Sequence, residues 1–228
     1  MVFHLVTLYN HQIMKKSILV SCILFVFSCK KENDIKSNDS TVVPDSTHLK
    51  SNRESVPVKN DLTSVEGIKK EYTLIHSKLA GKKLDSLSFS YECEERSGNV
   101  VYYSENGILQ AVRHFTADSH FSSSENYFIH EGQPFFIFKD DTVWSFNGGT
   151  PEKPETKDDI TQQRIYLSGK TVIQCLEKKF SIKSNSSLNP DPEKIPNKEN
   201  KNCSAQEVIK TFALLMKNKN NKGMIRCL

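Results

Sequence analysis

Between residues 64 and 80, apolar side chains recur at Val65, Ile68, Tyr72, Ile75 and Leu79, the spacing of one helix face. Thr63 with Glu66 fits a capping box. Gly81 follows as a stop. A second helical pattern runs from about Ala205 to Asn218. There Val208, Phe212 and Leu215 share one side, with Ile209 and Met216 beside them. Ser204 and Glu207 stand where a capping pair belongs. Both stripes imply docking onto a core, and for the second helix its own sheet is the expected partner.

Between the helices, residues 86–176 read as strands and turns. Three segments look alike: Val101 to Leu109, Asn126 to Phe135, and Arg164 to Val172. Each carries a tyrosine, then polar residues and a glycine, then an apolar stretch. A glycine between β-forming residues signals a hairpin, because it accepts the positive φ of a tight turn. Further strands are expected at Leu87–Cys93 and Thr142–Phe146. The run Phe135-Phe136-Ile137-Phe138 is apolar at every position, as in a central strand covered on both faces. Gly148-Gly149, Pro151 and Pro154 make 147–161 read as a long surface loop. Pro190, Pro192 and Pro196 make 184–203 read as a polar linker.

The expected fold is therefore α+β: an antiparallel β-meander sheet of about six to eight strands, with a helix before and a helix after. The folded domain spans 62–183, followed by the linker and a C-terminal helical segment at 204–228.

The N-terminal pattern is different. Lys15 and Lys16 precede an apolar run of about ten residues, Ile18 to Phe27, which describes a signal peptide covering 1–28. A bilayer span needs roughly 20 apolar residues, so the run does not cross a membrane as a stable helix. Residues 1–13 hold no lysine or arginine, and Met14 stands directly before the basic pair. Met14 is thus the expected start.

The run ends Ser28-Cys29-Lys30-Lys31, which resembles a lipobox, where the cysteine is lipidated and becomes the first mature residue. Phe27 is larger than that pattern prefers. Leu19-Val20-Ser21-Cys22 is closer to it, but would leave an export core of about five residues against the usual 7–15. Cys29 is the expected palmitate-bearing anchor. Residues 29–61 lack periodicity and aromatic residues, and read as a disordered tether. A flexible chain of that length spans some 30 Å.

Ser28-Cys29-Lys30-Lys31 followed by Glu32 resembles lipoproteins of the Bacteroidota. Tyr102-Tyr103 through Gly107, and Tyr166 through Lys178, resemble uncharacterised lipoproteins of that group with repeated Tyr–Gly hairpins, over roughly residues 62–180. The resemblance implies an outer-membrane lipid anchor, facing the periplasm or the cell surface, and no particular activity.

Composition narrows the candidate chemistry. Apolar residues make up 37% of the 228-residue chain, low for a compact globule, in keeping with a tether. With 31 basic and 27 acidic residues, charge is too balanced for a nucleic-acid surface. Cys93, Cys175, Cys203 and Cys227 remain in the mature chain. An exported even set suggests disulfides, with three connectivities open. Cys93 with Cys175, both on expected strands, and Cys203 with Cys227, flanking the last helix, is the favoured pairing. Buried free thiols are the alternative.

No Cys or His pair has zinc-ligand spacing, and no His-Glu-x-x-His or Gly-x-Ser-x-Gly motif occurs. No metal, cofactor or catalytic residue is expected. His48, His76, His114, His120 and His130 read as structural. Glu92, Glu94 and Glu95, and the pair Asp140-Asp141, sit at expected turns. Tyr102, Tyr103, Tyr127, Phe128, Trp144 and Tyr166 are candidates for an exposed aromatic face. The expected function is a non-enzymatic binding or structural module at the cell envelope, with the membrane as partner through its lipid and an envelope protein or glycan as candidate ligand. The alternative is an envelope hydrolase or enzyme inhibitor, using the 147–161 loop and nearby carboxylates.

Overall fold

The computed structural model describes residues 61–228. The expected signal peptide, Met14 start, Cys29 anchor, Cys22 alternative and almost all of the tether lie outside the described residues, as does His48. No described helix is long and apolar enough to cross a membrane.

The chain begins with α1 (Val65–Ala80), then runs through β1 (Asp85–Cys93), β2 (Arg96–Glu105), β3 (Ile108–Ala117), β4 (Phe121–His130), β5 (Gln133–Thr150), β6 (Lys153–Ser168) and β7 (Thr171–Lys183). After a 3-10 turn at Pro192–Lys194 come β8 (Lys198–Glu199), α2 (Gln206–Lys217) and β9 (Gly223–Ile225). Among the described residues, nine strands form one sheet in the order β8-β7-β6-β5-β4-β3-β2-β1-β9. The expected α+β meander is present, with more strands than anticipated. The last, β9, returns parallel to β1, pairing Phe89 with Gly223.

The three look-alike segments are three hairpins: β2–β3, β4–β5 and β6–β7. Asn106 and Gly107 in one turn, and Glu131 and Gly132 in the next, all have positive φ, as a type I′ turn requires. Each hairpin also shifts register close to its turn, at Tyr103/Ser104, Phe128/Ile129 and Tyr166/Leu167. The repeat in the sequence is thus a repeat of bulged hairpins.

The two helices cover opposite faces. α1 buries Ile68 and Ile75 against Ala111, Phe128, Phe135, Phe136 and Tyr166. α2 buries Val208, Phe212 and Leu215 against the other face. In the all-apolar run, Ile137 belongs to the α2 core, while Phe135 and Phe136 belong to the α1 core, with Phe138 packed against it. Strand alternation separates Ile137 from Phe136 and Phe138, and the β4–β5 register shift, which leaves Phe135 without a cross-strand partner, puts it on the same side as Phe136. Two tyrosines of the repeat fasten α2 by its backbone. The Tyr102 hydroxyl donates to the Leu215 carbonyl at 2.6 Å, and the Tyr127 hydroxyl lies 3.0 Å from the Val208 carbonyl.

Several expectations are corrected. Ser64, not Thr63, caps α1, and its hydroxyl accepts from Gly67 N. Thr63 is instead held by the Asp61 carboxylate through both its amide and its hydroxyl. Ala205, not Ser204, occupies the cap position of α2. The expected loop at 147–161 is a continuation of β5 and β6 around a turn at residues 151–152, and Pro154 pairs with Gly149. Thr142–Phe146 is not a separate strand but part of β5.

The expected linker at 184–203 is a strap across the β7 edge. Asn189 bonds both the amide and the carbonyl of Lys183, the Lys178 ammonium donates to the Pro192 carbonyl at 2.6 Å, and β8 extends the sheet. The C-terminal segment is not helical to its end, since β9 follows α2.

The four cysteines form two disulfides, Cys93–Cys227 and Cys175–Cys203. This overturns the favoured pairing. Cys175 lies on the sheet face carrying α2 and meets Cys203 at the end of the strap. The return of β9 along β1 brings Cys227 to Cys93.

Candidate polar cleft

The face carrying α2 is organised in rows, because cross-strand partners on one face line up and the next row on that face lies two residues along each strand. One row runs Tyr102, Val112, Tyr127, Ile137, Ile165, Cys175. It is apolar and α2 covers it. The next row runs Val100, His114, Glu125, Lys139, Gln163, Glu177. From His114 onward it is polar. Beside that stand Thr116, Ser123, Asp141, Thr161 and Lys179. One sheet face thus changes from core to polar surface within a single step of strand alternation.

At that boundary lies a cleft of about 320 Å³ whose lining includes Tyr91, Arg96, His114, Ser123, Glu125 and Thr211. Among the described residues, four polar or charged side chains are buried: His114, Ser123, Glu125 and Lys178. Three of the four line this cleft. Buried polar groups require partners, and these have them. The Tyr91 hydroxyl lies 2.9 Å from His114 Nε2, and His114 Nδ1 lies 3.3 Å from Glu125 Oε2. The Tyr127 hydroxyl donates to the same Glu125 oxygen at 2.5 Å.

One tautomer satisfies the chain: Nδ1–H donates to the carboxylate, and Nε2 accepts from Tyr91. Next to it, the Ser123 hydroxyl donates to Asp141 Oδ1 at 2.6 Å, and Lys139 donates to Asp141 Oδ2 at 2.6 Å. Burial pushes the Tyr91 phenol up, and the Glu125 charge adds to that while Thr116 and Arg96 oppose it. Burial raises the Tyr127 phenol much further, and the Glu125 carboxylate beside it raises it again. Both phenols thus stay protonated donors at neutral pH.

Local sequence positions these groups. Gly98 pairs with Tyr91 across β1–β2, and a Cβ on Gly98 would fall 2.3 Å from the Tyr91 ring. Glycine lets that ring lie against β2, stacked beside His114 at a centroid distance of 6.0 Å. Leu228, held by the Cys93–Cys227 bridge, and Leu214 of α2 close the cleft from the other side.

Of the other expected candidates, Asp140 and Asp141 point to opposite faces, Asp140 accepting from Gln162 at 2.7 Å and Asp141 from Ser123 and Lys139. Glu94 and Glu95 form the β1–β2 turn, and Glu92 is exposed. These carboxylates do not converge. His76 and His120 are exposed, and His130 is half-buried near Glu71 and Glu131. His114 is buried. The candidate aromatic face does not exist as one surface. Tyr102 and Tyr127 are in the α2 core, Phe128 and Tyr166 in the α1 core, and Trp144 packs on His120 at 4.2 Å.

His114, Ser123 and Glu125 escaped sequence reasoning as a group. Their signal was phase: His114 and Glu125 are polar residues two positions along the strand from the buried Val112 and Tyr127, on the same face, and Ser123 continues that face beyond Glu125. Compared with protein-family models, curated proteins and solved structures, the chain matches none.

Proposed function

We propose that this chain is an exported lipoprotein, anchored by lipid on Cys29, whose folded domain binds a neutral, hydroxyl-rich envelope ligand such as a glycan segment without transforming it. The observation that carries this reading is the convergence of three of the domain's four buried polar side chains on one cleft. Burying polar groups is costly, and here the cost falls at a concave opening of ligand size.

The cleft mixes both signs of charge: Arg96, 4.0 Å from Asp118, and Lys139, paired with Asp141, stand with Glu125. Each cation has a carboxylate partner in the protein, so neither is set aside for an anionic ligand. Arg96, Thr116, Ser123 and Thr211 offer donors and acceptors around the opening, while the half-buried Phe121 offers ring surface to the apolar edge of a sugar. Binding is favoured over catalysis because both nitrogens of His114, and one oxygen of Glu125, are held by protein partners. A general acid or base needs an atom within reach of substrate. Export, suggested by the N-terminal pattern, agrees with the two disulfides.

Titration calorimetry with N-acetylglucosamine and glucose tetramers tests the ligand class. Saturable one-to-one binding is expected, weakened about tenfold in Thr211→Val, a change worth one lost hydrogen bond. No measurable binding to either sugar would sink the glycan reading. For the anchor, Cys29→Ser should abolish lipid labelling and release the protein from membranes. Persistent labelling would move the site to Cys22 or end the proposal.

A further inference from the structure

On the sheet face carrying α1 there is a second cleft, of about 350 Å³, with a different chemistry. Its walls are Tyr72, Phe136, Phe138 and Tyr166, and its charged groups are Lys69 and Arg164. No carboxylate lines it. The walls are braced: Tyr72 meets Phe128 and Phe136 edge-on at 4.8 and 5.0 Å, and Phe136 meets Tyr166 at 4.9 Å. Arg164 lies with its guanidinium carbon 5.0 Å from the Phe138 ring centre, and one of its nitrogens donates to Asn197 at 2.7 Å. A guanidinium has five N–H donors, so most remain for a ligand. Tyr166 is 5% exposed overall and its side chain forms part of the cleft wall.

We propose that this cleft is a binding site for a planar aromatic anion. The ring system lies among the aromatic walls, and Arg164 with Lys69 takes the carboxylate or sulfonate. Two positive groups without a negative one set the sign, and the cleft volume fits a ligand of two or three rings. The site is separate from the His114 cleft, and its ligand class differs.

The test uses 8-anilinonaphthalene-1-sulfonate and its uncharged analogue N-phenyl-1-naphthylamine, titrated calorimetrically into the folded chain. One sulfonate dye per chain is expected, bound about tenfold more tightly than the neutral dye. Arg164→Gln should remove that preference. Lys69→Gln, at an exposed helix position, should reduce it by about threefold and serves as the check if Arg164→Gln fails to fold. Equal affinity for the two dyes, several dyes per chain, or an unchanged preference in both charge variants would overturn the proposal. So would loss of the dye in Thr211→Val, which would place it in the other cleft.

Discussion

Replacing Tyr127 by phenylalanine removes one oxygen from a fully buried ring and leaves the ring itself in place. That oxygen donates to Glu125 at 2.5 Å and lies 3.0 Å from the Val208 carbonyl of α2. The helix carbonyl keeps its place in the helical bonding pattern, so the loss falls mainly on the carboxylate. Glu125 Oε2 would be left with His114 Nδ1 at 3.3 Å, a long contact for a buried charged acceptor. A hydrogen bond to a charged group contributes about 1.5–3 kcal/mol, and little of that is recovered where water is excluded. The expected destabilisation is about 2–3 kcal/mol. For a domain of this size that is a fall of roughly 5–10 °C in Tm.

Urea unfolding at pH 7 gives the free energy, and differential scanning calorimetry gives the Tm. A double-mutant cycle with Glu125→Gln separates the Tyr127–Glu125 contact from general packing. The coupling should reach about 1 kcal/mol or more. A loss below about 0.5 kcal/mol, with no coupling, would refute the view that this hydroxyl holds the buried carboxylate.

Gly98→Ala should push Tyr91 away from His114, since the new methyl would fall 2.3 Å from the ring. A loss of about 1–3 kcal/mol and a displaced His114 imidazole resonance would show it. Burial pushes the Tyr102 phenol up to about 12, so the unfolded chain, titrating near pH 10, releases that proton first. Stability from this group is therefore complete below about pH 10 and lost as pH rises towards 12. Urea midpoints measured against pH should fall over that window, and less steeply in Tyr102→Phe. Replacing both Cys175 and Cys203 by serine opens a loop with a sequence separation of 28, at an expected cost of about 3–4 kcal/mol. Limited proteolysis should then cut within 184–203, which the intact protein resists.

The helices were legible because each presents an apolar stripe of helical period, and Ile68, Ile75, Val208, Phe212 and Leu215 are buried as that period requires. The hairpins were legible because Asn106-Gly107 and Glu131-Gly132 carry the positive φ their turns need. The extension of β5 and β6 was not, because Gly148, Gly149, Pro151 and Pro154 disfavour strand on their own. Pairing with each other carries those segments as a two-stranded ribbon. Disulfide partners were hidden for a different reason. The pairing depends on where β9 returns and on the strap, and neither leaves a local pattern. The cleft was half visible. His114 and Glu125 lie eleven residues apart on neighbouring strands, and only the register between β3 and β4 makes them partners.

Backbone amide chemical-shift mapping of the folded chain, during titration with N-acetylglucosamine tetramer, shows whether the His114–Glu125 cleft binds sugar. Saturable shifts are expected at His114, Thr116, Ser123 and Thr211, with Lys69 and Arg164 unmoved. Shifts absent from that cleft at saturating sugar, or confined to another surface, would rule it out as the binding site.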